Sequence, residues 1–172
     1  SITDHNNCGV YKELANPEIR NIFKGKIIRG VELNTKILGI PIEILGYDVD
    51  TEYINKNVSN IYISNKERNI IEVKRIYDIC IKNKIEVGEN FVENYNPDIY
   101  ASKYLHQIIT NNIENRKYID EDAWENSNIF YRKYMSNPKT LFFVDTNDII
   151  PDFEQVSNLV KNAGGLVFIP HI

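Results

Sequence analysis

A long helical block set between strand-like segments constrains this chain more than any other feature. Residues 64–136 carry apolar side chains at helical spacing, while the flanking segments are β-branched and punctuated by Gly and Pro. Ser64 with Glu67 three positions on is a capping box opening one helix, along which Ile70, Val73, Tyr77, Cys80, Ile81 and Ile85 recur. Asn96-Pro97 opens a second helix carrying Ala101, Leu105, Ile108 and Ile109. A third spans roughly Asp120 to Met135 before Asn137-Pro138 stops it. The pattern predicts an α/β fold in three parts: residues 1–63, the helical insertion 64–136, and a return to the first layer over 137–172.

The flanks are more varied. Ser1-Ile2-Thr3 is a short stretch read as a strand that delivers Asp4 and His5 to a loop. A helix follows over 16–24, with Asn16 as its cap, Pro17 in the first turn, and Ile19, Ile22 and Phe23 on one face. Strands over 27–33 and 41–47, joined by a turn near Gly39, form a hairpin. A last helix over 152–163 stops at Gly164-Gly165, and the strand after it delivers His171.

Composition narrows the function. The 172 residues carry a formal charge of −4 and a pI near 5.4. That balance argues against gripping long nucleic acid or an anionic membrane by surface charge. No apolar run approaches the roughly 20 residues of a membrane span. Residues 1–20 show no signal-peptide pattern, and Cys8 and Cys80 make no CxxC pair, so a cytoplasmic protein with reduced thiols is expected. Met135 is the only methionine, so the chain is expected to be a piece of a longer one.

Metal-ligand side chains fall where strands end. Asp4 and His5, Glu32, and His171 all take such places, while Glu43 sits between Ile42 and Ile44, where an apolar residue is expected. In barrel-like α/β proteins, catalytic groups gather at the C-terminal ends of several strands. Carboxylates and imidazoles that converge there suit hard or borderline divalent metals. Such ions neutralise a phosphoryl oxygen and acidify water.

Four blocks, Thr3-Asp4-His5, Gly30-Val31-Glu32, Ile42-Glu43-Ile44-Leu45-Gly46-Tyr47, and Ala163-Gly164-Gly165 leading to Pro170-His171, resemble the polymerase and histidinol phosphatase (PHP) superfamily. These are metal-dependent phosphoesterases on a distorted (β/α)7 barrel. The resemblance implies a partial barrel with an inserted helical cap, incomplete at both ends. It implies His5, Glu32, Glu43 and His171 as metal ligands, with Glu32 bridging. Asp4 would orient His5, and Asp4, His5 and Glu32 would form the catalytic group. Glu43 stands where many members carry histidine, which favours Mn²⁺ or Mg²⁺ over Zn²⁺. Two or three ions (Mn, Zn, Fe or Mg) are expected in the complete protein, acting on a small phosphorylated metabolite or nucleotide. The family's opening His-x-His and closing Asp-x-His blocks have no counterpart here, so the piece itself is expected to bind metal weakly and not to turn over substrate. A different class, a non-catalytic PHP-like module that binds metal or a partner, is the competing expectation. Exposed sheet edges would favour a homo-oligomer.

Other chemistry-bearing residues read as structural. His106 takes a helix-surface position, and Cys8 lacks a companion base. Lys66, Arg68, Lys74 and Arg75 lie among Glu67 and Glu72, as on a solvated face, although they also offer charge for a phosphate. Tyr95, Tyr100 and Tyr104 recur at near-helical spacing, as packing residues or as a base-stacking surface.

Overall fold

The structure, a computed structural model, describes residues 1–170. The helices in chain order are α1 (Val10–Leu14), α2 (Pro17–Ile22), α3 (Thr51–Asn57), α4 (Asn65–Lys82), α5 (Ala101–Asn111), α6 (Glu121–Glu125), α7 (Ser127–Phe130) and α8 (Phe153–Asn162). The strands are β1 (Gly30–Ile37), β2 (Ile40–Tyr47) and β3 (Leu166–Phe168). The chain divides into two compact units, residues 1–63 with 147–172, and Ser64–Thr146. His171, one of the expected ligands, lies outside the described residues. Among those described, no helix is long and apolar enough to cross a membrane.

In the first unit the sheet runs β1-β2-β3 and both pairings are antiparallel. This is a small mixed α and β layer rather than a succession of parallel barrel strands. Leu38 and Gly39 form the hairpin tip, at φ 51° and 79°. Two consecutive left-handed residues are what a two-residue loop needs to match the twist of its strands. Gly39 takes that conformation freely, whereas Leu38 does so against its Cβ and is 97% exposed. One sheet face, carrying Val31, Leu33, Ile44 and Gly46, packs in a core with Val156, Leu159 and Val160 of α8, Ile54 of α3, and Cys8. Strand alternation sends Glu32, Asn34, Glu43 and Leu45 to the opposite face.

Three expectations for this unit are corrected. Ser1–Thr3 forms no strand. The Tyr11 hydroxyl takes a partner's place there, accepting from the amides of Ile2 (3.2 Å) and Gly30 (2.7 Å) and donating to the Ile2 carbonyl. Sheet pairing in this arm shrinks to one parallel bridge, His5 to Glu32. Strand β1 starts at Gly30 rather than Ile27 and runs to Ile37, so Glu32 is its third residue and not its end. Helix α2 is capped by Asn16 as expected, its Oδ1 accepting from the Glu18 amide at 2.9 Å. Ile22 and Phe23 nevertheless stay exposed while Ile19 is half-buried, so the expected apolar face is covered only in part.

The second unit is helical. Helix α4 opens with the capping box, the Ser64 amide donating to Glu67 Oε2 (2.9 Å) and the Glu67 amide to Ser64 Oγ (3.2 Å). Its buried stripe is Asn69, Val73, Ile76 and Cys80, while Ile70 and Ile81 face outward. Either row gives an amphipathic helix, and tertiary packing selects the one that meets Leu105, Ile109, Phe91 and Phe130 in the core. Helix α5 begins at Ala101, four residues past Pro97, because Asn96 spends its side chain on a turn at Asp98 (3.0 Å). The expected third helix is broken at Asn126. Its backbone is extended and its Oδ1 caps α7 through the amides of Asn128 and Ile129. Asparagine satisfies helix ends better than helix interiors. A π-helical turn, Tyr131–Met135, follows α7.

Candidate metal centre

His5, Glu32 and Glu43 meet on the sheet face opposite the core. His5 Nε2 lies 3.4 Å from Glu32 Oε2, and its Nδ1 lies 3.8 Å from Glu43 Oε1. One ligand atom from each of the three fits within a 4.8 Å circle of distances. The hairpin register explains the two carboxylates. Asn34 stands opposite Glu43 and Leu45 opposite Glu32, so the glutamates are diagonal neighbours on one face. The arm explains the imidazole: Glu32 N donates to the Asp4 carbonyl (3.1 Å) and Asn6 N to the Glu32 carbonyl (2.8 Å), pinning His5 beside Glu32. Gly30 permits that approach, since a Cβ there would stand 2.5 Å from Ser1 Oγ and 2.8 Å from Thr3 Cγ2.

The donor set fits a divalent ion. Ligand atoms each about 2.0–2.2 Å from an ion stand roughly 3–4 Å from one another; one atom from each of the three lies within 4.8 Å of the others, while the 3.4 and 3.8 Å separations use different ring nitrogens of His5, of which a single ion would take one. One imidazole nitrogen with two carboxylate oxygens suits hard and borderline metals. The side chains are graded in exposure, Glu32 at 18%, Glu43 at 30% and His5 at 59%, so the site opens to solvent on the imidazole side. Asn6, next along the arm at φ 53°, keeps its Oδ1 buried with no hydrogen-bond partner among the described residues.

Asp4 is placed differently from the other candidates. It joins through its backbone carbonyl, and among the described residues its exposed carboxylate makes no hydrogen bond to His5. Its charge acts instead on Cys8, whose thiol is pushed up to about 11, chiefly by burial and further by Asp4. Cys8 is fully buried, with Sγ 3.8 Å from the Gly30 carbonyl, and serves as packing beneath the arm. Asn34 and Asn6 are neighbours that the sequence reading passed over. Simple alternation along β1 was the available signal for Asn34, which shares a face with Glu32.

No protein-family model matches this chain, and no curated protein does. Solved structures do match. An amidohydrolase from Chromobacterium violaceum, holding sulfate and no metal, superposes with a TM-score of 0.57 at 17% identity, covering 98% of this chain and 54% of its own. A protein from Bifidobacterium adolescentis, described as a metal-dependent phosphoesterase, superposes with a TM-score of 0.53 at 15% identity, covering 96% and 54%. The chain shares its fold with these hydrolases and spans about half the length of each.

Proposed function

We propose that this chain is part of a PHP-type phosphoesterase that hydrolyses a phosphate monoester of a small metabolite or nucleotide in the cytoplasm. The observation that carries this reading is the meeting of His5, Glu32 and Glu43 at one exposed face, within a fold shared with a protein described as a metal-dependent phosphoesterase. Glu32 and Glu43 would hold a divalent ion through oxygen and His5 through a ring nitrogen, with His171 as a further ligand. When bound, the ion supplies Lewis acidity to a phosphoryl oxygen and acidifies water. The protein's own residues fix geometry. The hairpin holds both carboxylates in register, and the Asp4 and Asn6 backbone bonds hold the imidazole against them.

Manganese loading of the full-length protein, with this chain restored at both ends, followed by phosphate release from a panel of monoesters and nucleotides tests the activity, and metal content measures the site. The expected result is one or more ions per chain, phosphate release, and loss of both in Glu32→Gln. A chain that releases no phosphate, and whose metal content Glu32→Gln leaves unchanged, contradicts the reading.

The competing reading is a non-catalytic PHP-like module that binds metal or a partner. Glu43 in the family's histidine position favours it. It predicts at most one ion per chain and no phosphate release. Self-association belongs with either reading: Leu166 and Phe168 of β3 and the adjoining Ile169 are exposed, and β3 is the last strand in the sheet order.

A further inference from the structure

The helical unit contains a cavity of about 420 Å³ whose wall is made by Asn69, Arg68, Ser102, Lys103, Tyr100 and Tyr131, among others. That volume lies in the range of small-molecule sites. We propose that it binds a nucleoside monophosphate, independently of the metal centre in the other unit.

Asn69 is the anchoring observation. It occupies a core position on α4 with only 7% of its surface exposed. Its Nδ2 donates to the Pro97 carbonyl at 3.0 Å, and its Oδ1 accepts from no donor among the described residues. That oxygen keeps contact with solvent, since Asn6 Oδ1 is the buried side-chain polar atom without a partner among the described residues, and the cavity is the space that Asn69 borders. The fitting partner is an N–H or NH₂ group of a ligand, such as the exocyclic amine of a nucleobase.

Positive charge lies on the same wall. Arg68 gives only its Nε to Glu72, at 3.0 Å, which leaves both terminal nitrogens of the guanidinium available. Lys103 has no carboxylate partner among the described residues and stands 6.0 Å above the Tyr100 ring. Helix α5 adds to this, since Tyr100 at its N-cap provides no side-chain cap and Ser102 of its first turn reaches the wall. Glu72 also lines the wall and takes Arg68 Nε, so Lys103 and the terminal nitrogens of Arg68 leave a net positive charge that suits a phosphate.

Two tyrosines supply the planar contact. Tyr100 is 65% exposed and Tyr131 50%, which leaves ring surface of both accessible at the cavity. Tyr131 opens the π-helical turn and buried Met135 closes it, and both line the cavity. Such turns recur at functional sites because the wider backbone re-aims side chains. Aromatic faces accept any nucleobase, so the site selects for the nucleoside phosphate class rather than for one base.

The test titrates the metal-free, full chain with the four nucleoside 5′-monophosphates, followed by calorimetry and backbone amide shifts. Adenosine and inorganic phosphate serve as separate probes. One nucleotide per chain is expected, with shifts at Asn69, Ser102, Ser127 and Tyr131. Adenosine and phosphate should each bind at least tenfold more weakly than AMP. Arg68→Ala and Lys103→Ala, both at exposed positions, should each weaken AMP at least tenfold without moving the unfolding midpoint. Absence of binding, indifference to both substitutions, or shifts confined to His5, Glu32 and Glu43 overturns the proposal. Because no metal is present, each of these outcomes is separate from the fate of the phosphoesterase reading.

Discussion

His5 lies between two carboxylates, its Nε2 3.4 Å from Glu32 and its Nδ1 3.8 Å from Glu43. Both ring nitrogens thus face acids that belong to different strands of one hairpin. Removing a ligand should cost more than removing a bystander. His5→Ala and Glu32→Gln should each weaken Mn²⁺ binding by roughly 10- to 100-fold, as losses around metal ligands commonly do. Asp4→Asn, which leaves the backbone carbonyl in place, should weaken it far less. Calorimetric titration separates the two outcomes, and equal losses for Asp4 and His5 contradict the assignment.

The hairpin tip carries avoidable strain. Leu38 holds φ 51° while almost wholly exposed, so it contributes a conformational cost with little packing in return. Leu38→Asn should stabilise the chain by about 1 kcal/mol, since asparagine accepts the left-handed region and suits this turn. Urea unfolding reads the change, and an unmoved or lower midpoint contradicts it.

The capping box predicts a pH signature at the start of α4. Ser64 holds the Glu67 carboxyl below the usual glutamate range through its hydroxyl and its amide. A depressed folded-state pKa gives stability that is present above the unfolded value and lost as pH falls through the folded one. The Glu67 carbonyl-carbon titration should therefore have a low midpoint, returning towards the ordinary range in Ser64→Ala. No movement of the midpoint in that variant contradicts the cap.

Both thiols should be silent in the native state. Burial pushes Cys80 up to about 12 and, with Asp4 adding, Cys8 to about 11. Neither is nucleophilic as a neutral thiol, so iodoacetamide at pH 8 should label both in urea and neither in buffer. The raised values also set a sign. The thiols' contribution is complete below the unfolded thiol pKa and is lost as pH rises from there towards the folded values. Labelling of Cys8 in buffer would show the arm to be open.

The hairpin was legible from the turn near Gly39 between two β-branched runs, but its register, and with it the diagonal placement of the two glutamates, was not. Nor was the arm. Its backbone bonds go to the Tyr11 hydroxyl and to the Glu32 backbone, partners that no local pattern announces. Helix α4 was legible in extent but not in orientation, because two adjacent rows are apolar enough to be buried and only the packing of α5 decides between them. Asn126 looked like an interior helix residue until its cap on α7 was seen, since asparagine's preference for ends appears in sequence only as a weak signal.

The Tyr11 hydroxyl has a consequence for the metal centre. Two of the proposed ligands ride on the hairpin, but the third rides on an arm fastened by one phenol oxygen and a single bridge. An ion held by all three is therefore also a rivet between arm and sheet. Ion affinity and arm docking form one equilibrium, so whatever loosens the arm lowers the affinity by the fraction of time it is undocked. Tyr11→Phe, which touches none of the three proposed ligands, would be felt at the metal.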